Sequence, residues 1–170
     1  AFGVDVPDHK RTFGSGNDLV EKFGSRRFFG SPLSEAAVTG VAVGAALCGL
    51  RPIHIHARAD FTLLAMNQIV NMASIKSSLS NGKVKVPLVV RTVIGRSWGQ
   101  GPQHSNTMHS TFAHFPGLQV VLHSDTPDAY SLLRSSRQAA PPITLLEPRC
   151  RYATTEHTNA HLSLPLRQPN

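Results

Sequence analysis

The decisive stretch of this sequence is Gly30-Ser31-Pro32-Leu33-Ser34-Glu35-Ala36-Ala37-Val38-Thr39-Gly40, which follows a short apolar segment at residues 27–29. The segment predicts a strand, and the stretch leads into a helix predicted over residues 34–48, with a serine available as its cap. Glu35 then lies in the first helical turn, at the carboxyl edge of a strand, where open α/β sheets bind ligands. Glu35 is therefore a candidate functional carboxylate. The alternative is that it only complements the positive end of the helix.

The helix that begins near Glu35 carries almost only small and aliphatic residues. Val38, Val41, Val43 and Leu47 spread over all of its sides, and no polar face interrupts them. A helix that is apolar all round is normally buried in the protein interior. The sequence therefore predicts that this helix is enclosed on every side.

The composition is that of a folded globular domain. The chain has 170 residues, of which 41% are hydrophobic and 16% charged, enough for one domain with its own core. No run approaches the ~20 apolar residues of a membrane-spanning helix, and no signal peptide is visible. The formal charge of +7 is scattered without interleaved aromatic residues, so we expect neither nucleic acid nor membrane as a partner. Two cysteines favour a reducing compartment, which we predict to be the cytoplasm or, in a eukaryote, the mitochondrial matrix.

Predicted strands and helices alternate along the chain. This alternation is typical of a three-layer, doubly wound α/β domain with a mainly parallel sheet. We assign the domain to residues 1–152 and expect residues 153–170, which show no periodicity, to be a disordered tail. Asp60 and Thr126 are the expected N-caps of two of the helices. The predicted strands cover residues 27–29, 52–57, 86–93, 118–122 and 143–146, and the predicted helices cover 17–23, 34–48, 60–79, 107–115 and 126–138.

Two histidines alternate along the second predicted strand. His54, His56 and Arg58 share one face if the strand pattern continues, because residues two apart in a strand point the same way. Alternating histidines can bind zinc, but a cation on the same face opposes a divalent metal, and the spacing fixes no third ligand. We therefore predict no metal site here, and expect His56 and Arg58 to help hold an anionic substrate.

A glycine-rich loop follows the third predicted strand and contains Gly99-Gln100-Gly101-Pro102-Gln103-His104-Ser105. It matches neither a phosphate-binding P-loop nor a dinucleotide-binding fingerprint. Long loops inside compact domains are usually functional, and histidine can transfer protons near neutral pH. His104 is therefore a candidate catalytic residue. The alternative is an ordinary surface histidine on a turn.

Four motifs that occur in a fixed order resemble those of a known family. They are residues 31–52, Asp60-Phe61, residues 99–105 and residues 116–121. Together they resemble the pyrimidine-binding domain of the transketolase-like thiamine diphosphate enzymes. The pattern is most similar to the beta subunit of pyruvate dehydrogenase and other 2-oxo acid dehydrogenases, and the resemblance covers about residues 1–152.

The resemblance implies a role for four residues and a cofactor, thiamine diphosphate. Glu35 matches the glutamate that hydrogen-bonds the 1′ nitrogen of the aminopyrimidine and promotes loss of the thiazolium proton. Phe61 matches the aromatic residue that stacks on the pyrimidine, and Leu33 matches a residue whose backbone lies beside the same ring. His104 matches the active-site histidine that assists conversion of the 2-oxo acid.

The resemblance also implies partners. Magnesium and the cofactor diphosphate are expected to be held mainly by an alpha-type subunit, and two beta-type chains are expected to associate. A small 2-oxo acid is the implied substrate, but His54, His56 and Arg58 depart from the usual beta-subunit pattern, so pyruvate is not assumed. The C-terminal domain of beta subunits has no counterpart in these 170 residues. Two alternatives therefore stay open: a truncated, non-catalytic relative that acts only in subunit association, and a transketolase-like carboligase.

Overall fold

A single parallel sheet organises the part of the chain that the computed structural model describes, namely residues 1–8, 12–95, 100–155 and 166. The strands are β1 (Phe2–Gly3), β2 (Phe29–Gly30), β3 (Ile53–His56), β4 (Val89–Ile94), β5 (Gln119–Leu122) and β6 (Ile143–Pro148). All of their pairings are parallel, in the order β2-β1-β3-β4-β6-β5. The carboxyl ends of parallel strands lie at one edge of the sheet, so the segments that follow the strands are neighbours there.

Helices cover both faces of the sheet, which confirms the predicted three-layer, doubly wound α/β architecture. The helices are α1 (Leu19–Phe23), α2 (Glu35–Leu47), α3 (Ala59–Thr62), α4 (Lys76–Leu79), α5 (His109–Ala113) and α6 (Thr126–Gln138). Short 3-10 turns lie at Thr12–Gly14, Leu63–Ala65, Pro102–His104 and Arg149–Arg151, and a π-helical segment lies at Asn67–Ser74.

The central strand β4 shows how the sheet separates two cores. Val90 and Ile94 face the layer that contains α2, whereas Val89 faces the opposite layer. Leu132 and Leu133 of α6 pack against the cluster that contains Val89. Because neighbouring strand residues point to opposite faces, an apolar run such as β4 supplies both cores at once.

Strand β1 was not predicted, because the first predicted strand begins at residue 27. It contains only two residues, yet it lies between β2 and β3 and joins them into one sheet. Gly3 is required there: a Cβ atom at this position would lie 2.2 Å from the carbonyl oxygen of Ile55. Phe2 stacks on Phe29, with ring centroids 5.1 Å apart, which fills the space beside the strand.

The prediction that α2 is enclosed on every side is wrong for this chain by itself. Its inner face is fully buried, with both Thr39 and Ala42 at 0% exposure. Its outer face is open, with Val41 66% exposed and Leu47 43% exposed. The reason is that the sheet and the helical segments after β3 pack against one side of α2 only. Apolar composition does not show which side of a helix its own domain covers.

The helix predicted over residues 60–79 is a chain of shorter segments rather than one α-helix. It runs through α3, a 3-10 turn, a π-helical segment and α4. The backbone N–H of Ile75 donates to the carbonyl of Val70, an i to i−5 bond that accommodates one extra residue per turn. Arg58, not Asp60, precedes the first helical residue, so the predicted Asp60 cap is wrong and Asp60 lies in the first turn.

The N-cap of α6 also differs from the prediction by one residue. The side chain of Asp125, not Thr126, accepts a hydrogen bond from the backbone N–H of Asp128, at 2.8 Å. A carboxylate at this position satisfies an orphan N–H group and complements the helix dipole, so it replaces the hydroxyl cap that was expected.

The predicted tail falls largely outside the described residues. Of residues 153–170, the structure describes 153–155 and Leu166, and Leu166 packs against the core cluster under α6. The disorder expected for residues 156–165 and 167–170 therefore stays a prediction. Within the described ranges, each helix is too short or too polar to cross a membrane.

Candidate functional site

A cavity of about 160 Å³ lies at the carboxyl edge of the sheet, where β1, β2 and β3 end. Three residues that the resemblance associates with the cofactor, Leu33, Glu35 and Phe61, all line it. The full lining is Val4, Ser31, Pro32, Leu33, Ser34, Glu35, Val38, His54, Ile55, His56, Ala57 and Phe61. The fold thus brings Leu33 and Phe61, which lie 28 positions apart in the sequence, to the same cavity.

Glu35 is placed by the turn that connects β2 to α2. It is the first residue of the helix, and the carbonyl of Ser34 accepts the backbone N–H of Val38 at 2.9 Å, which starts the helical ladder. The Glu35 side chain is half-buried. A carboxylate here gains from the positive end of α2 and still reaches the cavity.

His104 reaches the same site through Phe61. The two rings meet edge to face, with centroids 5.2 Å apart and planes at 84°. His104 is half-buried and ends a 3-10 turn, in which its backbone N–H donates to the carbonyl of Gly101 at 3.3 Å. The structure therefore brings Leu33, Glu35, Phe61 and His104 into one region, although His104 itself does not line the cavity.

His54 and His56 form a closed hydrogen-bonded group with Thr39 of α2. Thr39 Oγ1 lies 3.1 Å from His54 Nδ1 and 3.3 Å from His56 Nε2, and the two nitrogens lie 3.2 Å apart. One ring N–H and the threonine hydroxyl can donate in two of these three contacts, and the tautomers of the rings determine which two. We call these three residues the imidazole triad. Sequence patterns identified the histidines, but not Thr39 as their partner.

Burial keeps the imidazole triad neutral. It lowers the pKa of His54 to about 4. The pKa of His56 falls to about 3, because of burial and also because of the neighbouring His54. Burial disfavours the charged form of both rings, and for His56 a second proton would also place two N–H groups face to face. Both rings line the cavity, so they contribute a polar but uncharged wall.

Arg58 does not share a face with the histidines, which corrects the prediction. Strand β3 ends at His56, so the alternation of side chains does not extend to Arg58. The Nε and Nη2 atoms of Arg58 both donate to Oε1 of Gln100, the former at 3.0 Å. Burial, and then the nearby Arg149 cation, lower the pKa of Arg58. Asp60 and Tyr152 act in the opposite direction and raise it. Arg58 therefore belongs with the loop that carries His104 rather than with the imidazole triad.

Ser31 is a site residue to which sequence analysis assigned no role beyond a possible helix cap. Its Oγ atom is buried, lines the cavity and has no hydrogen-bond partner among the described residues. Buried hydroxyl groups are normally paired, so this atom marks a position where a ligand can form a hydrogen bond. The described residues contain no cluster of three or more His, Cys, Asp or Glu side chains that could hold a metal ion.

Comparison with known proteins assigns the domain. The family model described as "Transketolase, pyrimidine binding domain" matches residues 2–154. The pyruvate dehydrogenase E1 component subunit beta-2, mitochondrial, of Oryza sativa subsp. japonica is 32% identical over 97% of this chain and 45% of that protein. The corresponding beta subunit of Homo sapiens is 34% identical over 89% of this chain and 42% of that protein. The chain thus spans less than half the length of these relatives.

A solved structure supports the same fold. A chain titled "Split gene transketolase, inactive beta4 tetramer" superposes with a TM-score of 0.71 over 96% of this chain and 49% of that chain, at 17% identity. At this identity the match supports the fold alone. The family match covers nearly the whole chain, and the residues that line the cavity lie within the matched range. The chain belongs to the transketolase pyrimidine-binding domain family.

Proposed function

We propose that this chain supplies the aminopyrimidine-binding half of a thiamine diphosphate-dependent active site, as a beta-type subunit of a 2-oxo acid dehydrogenase. The observation that carries the proposal is the cavity shared by Leu33, Glu35 and Phe61, with His104 packed on Phe61. The similarity to pyruvate dehydrogenase beta subunits supports the reaction class.

The residues of the cavity fit an aminopyrimidine ring. Phe61 offers a half-buried aromatic surface, Glu35 offers a carboxylate, and Ser31 Oγ offers an unpaired polar atom. The cavity, at about 160 Å³, is smaller than the ~300 Å³ typical of a complete small-molecule site, as expected for half of a site. When bound, thiamine diphosphate supplies a carbon nucleophile and an electron sink for the 2-oxo acid.

Each residue has a role that its chemistry allows. With the cofactor bound, Glu35 would hold and exchange a proton at the pyrimidine nitrogen, Phe61 would orient the ring by stacking, and the backbone of Leu33 would contact the ring. His104, which contacts Phe61, would exchange protons with the reacting substrate. His56 lies on the cavity wall and is a candidate contact for the acyl donor, whereas Arg58 already donates to Gln100, so its effect on selection is indirect.

The proposed partner is an alpha-type subunit that holds magnesium and the diphosphate. The resemblance implies that the alpha-type subunit carries the Gly-Asp-Gly motif that holds magnesium and the diphosphate, and the 170 residues of this chain contain no such motif. The open apolar side of α2, around Val41, supports a contact with another subunit, either alpha-type or a second copy of this chain. The relatives carry the word "mitochondrial" in their names, and we propose the mitochondrial matrix, or the cytoplasm in a bacterium, as the location.

A role in subunit association alone is the second candidate, and the exposed side of α2 is the observation that favours it. Calorimetry separates the two. We expect the isolated chain to bind thiamine diphosphate and magnesium weakly, and the complex with an alpha-type subunit to bind them tightly. Tight, magnesium-dependent binding by the isolated chain would contradict the divided site. Tight binding by the complex that is unchanged in a Phe61→Ala variant would favour association alone.

A further inference from the structure

The loop that carries His104 is tied to the chain on either side of that histidine, and both ties lead to the start of α3. Before His104, the side-chain oxygen of Gln100 accepts two N–H groups of Arg58. After His104, the amide of Asn106 donates to Asp60 Oδ1 and, at 2.9 Å, to the carbonyl of Pro102. The same short segment, residues 58–61, also carries Phe61, so one helical turn supports both the aromatic residue and the histidine.

Arg58 is itself held in place from three directions. Its Nη1 atom donates to the carbonyl of Ala57 at 2.7 Å. Its guanidinium lies over the ring of Phe13, 4.4 Å from the centroid. The guanidinium of Arg149 lies at the same distance from that ring, and the edge of Tyr152 meets it at 5.9 Å. Arg58 is only 8% exposed, so it is a fixed group rather than a mobile surface cation.

We infer that Arg58 is a positioning residue, which holds Gln100 and thereby keeps His104 against Phe61. The inference rests on the proposed function, because it gives His104 and Phe61 their task. Arg58 does not touch the cavity, so it acts through the loop and not through the ligand. This role replaces the expectation that Arg58 contacts the anionic substrate directly.

The chemistry of the contact requires arginine. One edge of a guanidinium offers two N–H donors in a fixed plane, and both reach a single amide oxygen here. The same plane stacks on Phe13, which a lysine ammonium cannot do over an equal area. Lysine at position 58 would keep the charge and lose the fixed direction. The pair Arg58 and Gln100 therefore sets the geometry of the loop.

The test uses NMR on the full chain, with no need for activity. The wild type should show a contact signal between ring protons of Phe61 and His104, because the rings lie 5.2 Å apart. Gln100→Met removes the acceptor at an exposed position and should keep the fold while this signal is lost. Arg58→Lys should also lose the signal. The matched control is Gln138→Met, at an exposed position at the end of α6, which should retain it. An unchanged signal in Gln100→Met and in Arg58→Lys would overturn the inference.

A kinetic measurement in the complex with an alpha-type subunit adds a second arm. Misplacing His104 should lower kcat by about 10- to 100-fold in Gln100→Met, while KM for the cofactor stays within about twofold, because the cavity is untouched. A normal kcat would overturn the inference. Failure of the proposed function would look different: the wild-type complex would be inactive, and the NMR difference between Gln100→Met and Gln138→Met would remain.

Discussion

The two faces of helix α2 have almost the same composition and opposite surroundings. The inner face, which includes Thr39 and Ala42, is packed against the sheet and the helical segments after β3 and is fully buried. The outer face, which includes Val41 and Leu47, is equally apolar and open to solvent. Large exposed apolar surfaces are typical of interaction sites, and the proposed function assigns this one to a contact with another subunit. The inner face thus contributes to the fold of this domain, whereas the outer face is available for a contact outside it.

Replacing neighbouring residues on the two faces by aspartate is expected to have the largest effect. Ala42→Asp buries an unpaired charge and should lower the free energy of unfolding by at least about 4 kcal/mol, enough to prevent folding of many domains. Val41→Asp adds the same charge one residue earlier, on the open face. It should change the free energy of unfolding by less than about 0.5 kcal/mol. Urea titration followed by circular dichroism measures both. Equal losses would show that the two faces do not differ in the isolated chain.

The imidazole triad, in which Thr39 of the inner face contacts His54 and His56, should make the stability of the fold depend on pH. The pKa values of His54 and His56 fall to about 4 and about 3 in the folded state, below the ordinary value of 6.5. The unfolded chain therefore binds more protons in the acidic range, and stability that is fully present above pH 6.5 is lost as the pH falls toward 4. Between pH 7.5 and 5.5 we expect a loss of about 2 to 3 kcal/mol from the pair.

A double variant isolates that contribution. His54→Gln with His56→Gln keeps hydrogen-bonding groups near Thr39 but removes both titrating rings, so the loss between pH 7.5 and 5.5 should shrink. The matched control, His109→Gln, changes an exposed histidine of α5 and should keep the wild-type slope. A double variant with the wild-type slope would show that the imidazole triad does not control acid stability.

The smallest expected effect concerns assembly through the outer face. Val41→Asp should weaken association with an alpha-type subunit, or with a second copy, by about tenfold or more, because it places a charge at the centre of an apolar contact. Tyr130→Asp, on the exposed side of α6 across the sheet, serves as the control and should associate normally. Analytical ultracentrifugation measures both. Normal association of Val41→Asp would place the interface elsewhere.

The fold class and four residues of the candidate site could be predicted from the sequence, but the one-sided burial of α2 could not. Alternation of apolar strands and helices was sufficient for the fold class, and motif order was sufficient to select Leu33, Glu35, Phe61 and His104, which the fold places in one region. The burial of α2 could not be predicted correctly, because its apolar residues point in all directions and composition carries no information about which side the domain itself covers.

Other differences between the prediction and the structure arise where a sequence pattern ends or is too short to recognise. The period of two that placed Arg58 beside His54 and His56 ends with β3 at His56, and no pattern in the sequence marks that boundary. Strand β1 is too short to show alternation, and it is recognised only by its pairing with β2 on one side and β3 on the other. Long-range partners, such as Thr39 for the histidines and Gln100 for Arg58, depend on contacts between segments that are distant in the sequence and have no local signal.

The most direct test of the proposed function is Glu35→Gln in the complex with an alpha-type subunit. Glutamine has nearly the same size and still reaches the pyrimidine nitrogen, so the fold and cofactor affinity should be largely retained. It cannot exchange a proton there, so both turnover and proton exchange at the thiazolium carbon should fall by about 100- to 10,000-fold. The measurement is the rate of that exchange by NMR, together with steady-state turnover. Near-normal values of both would show that Glu35 only stabilises the start of α2, and would contradict the proposed active site.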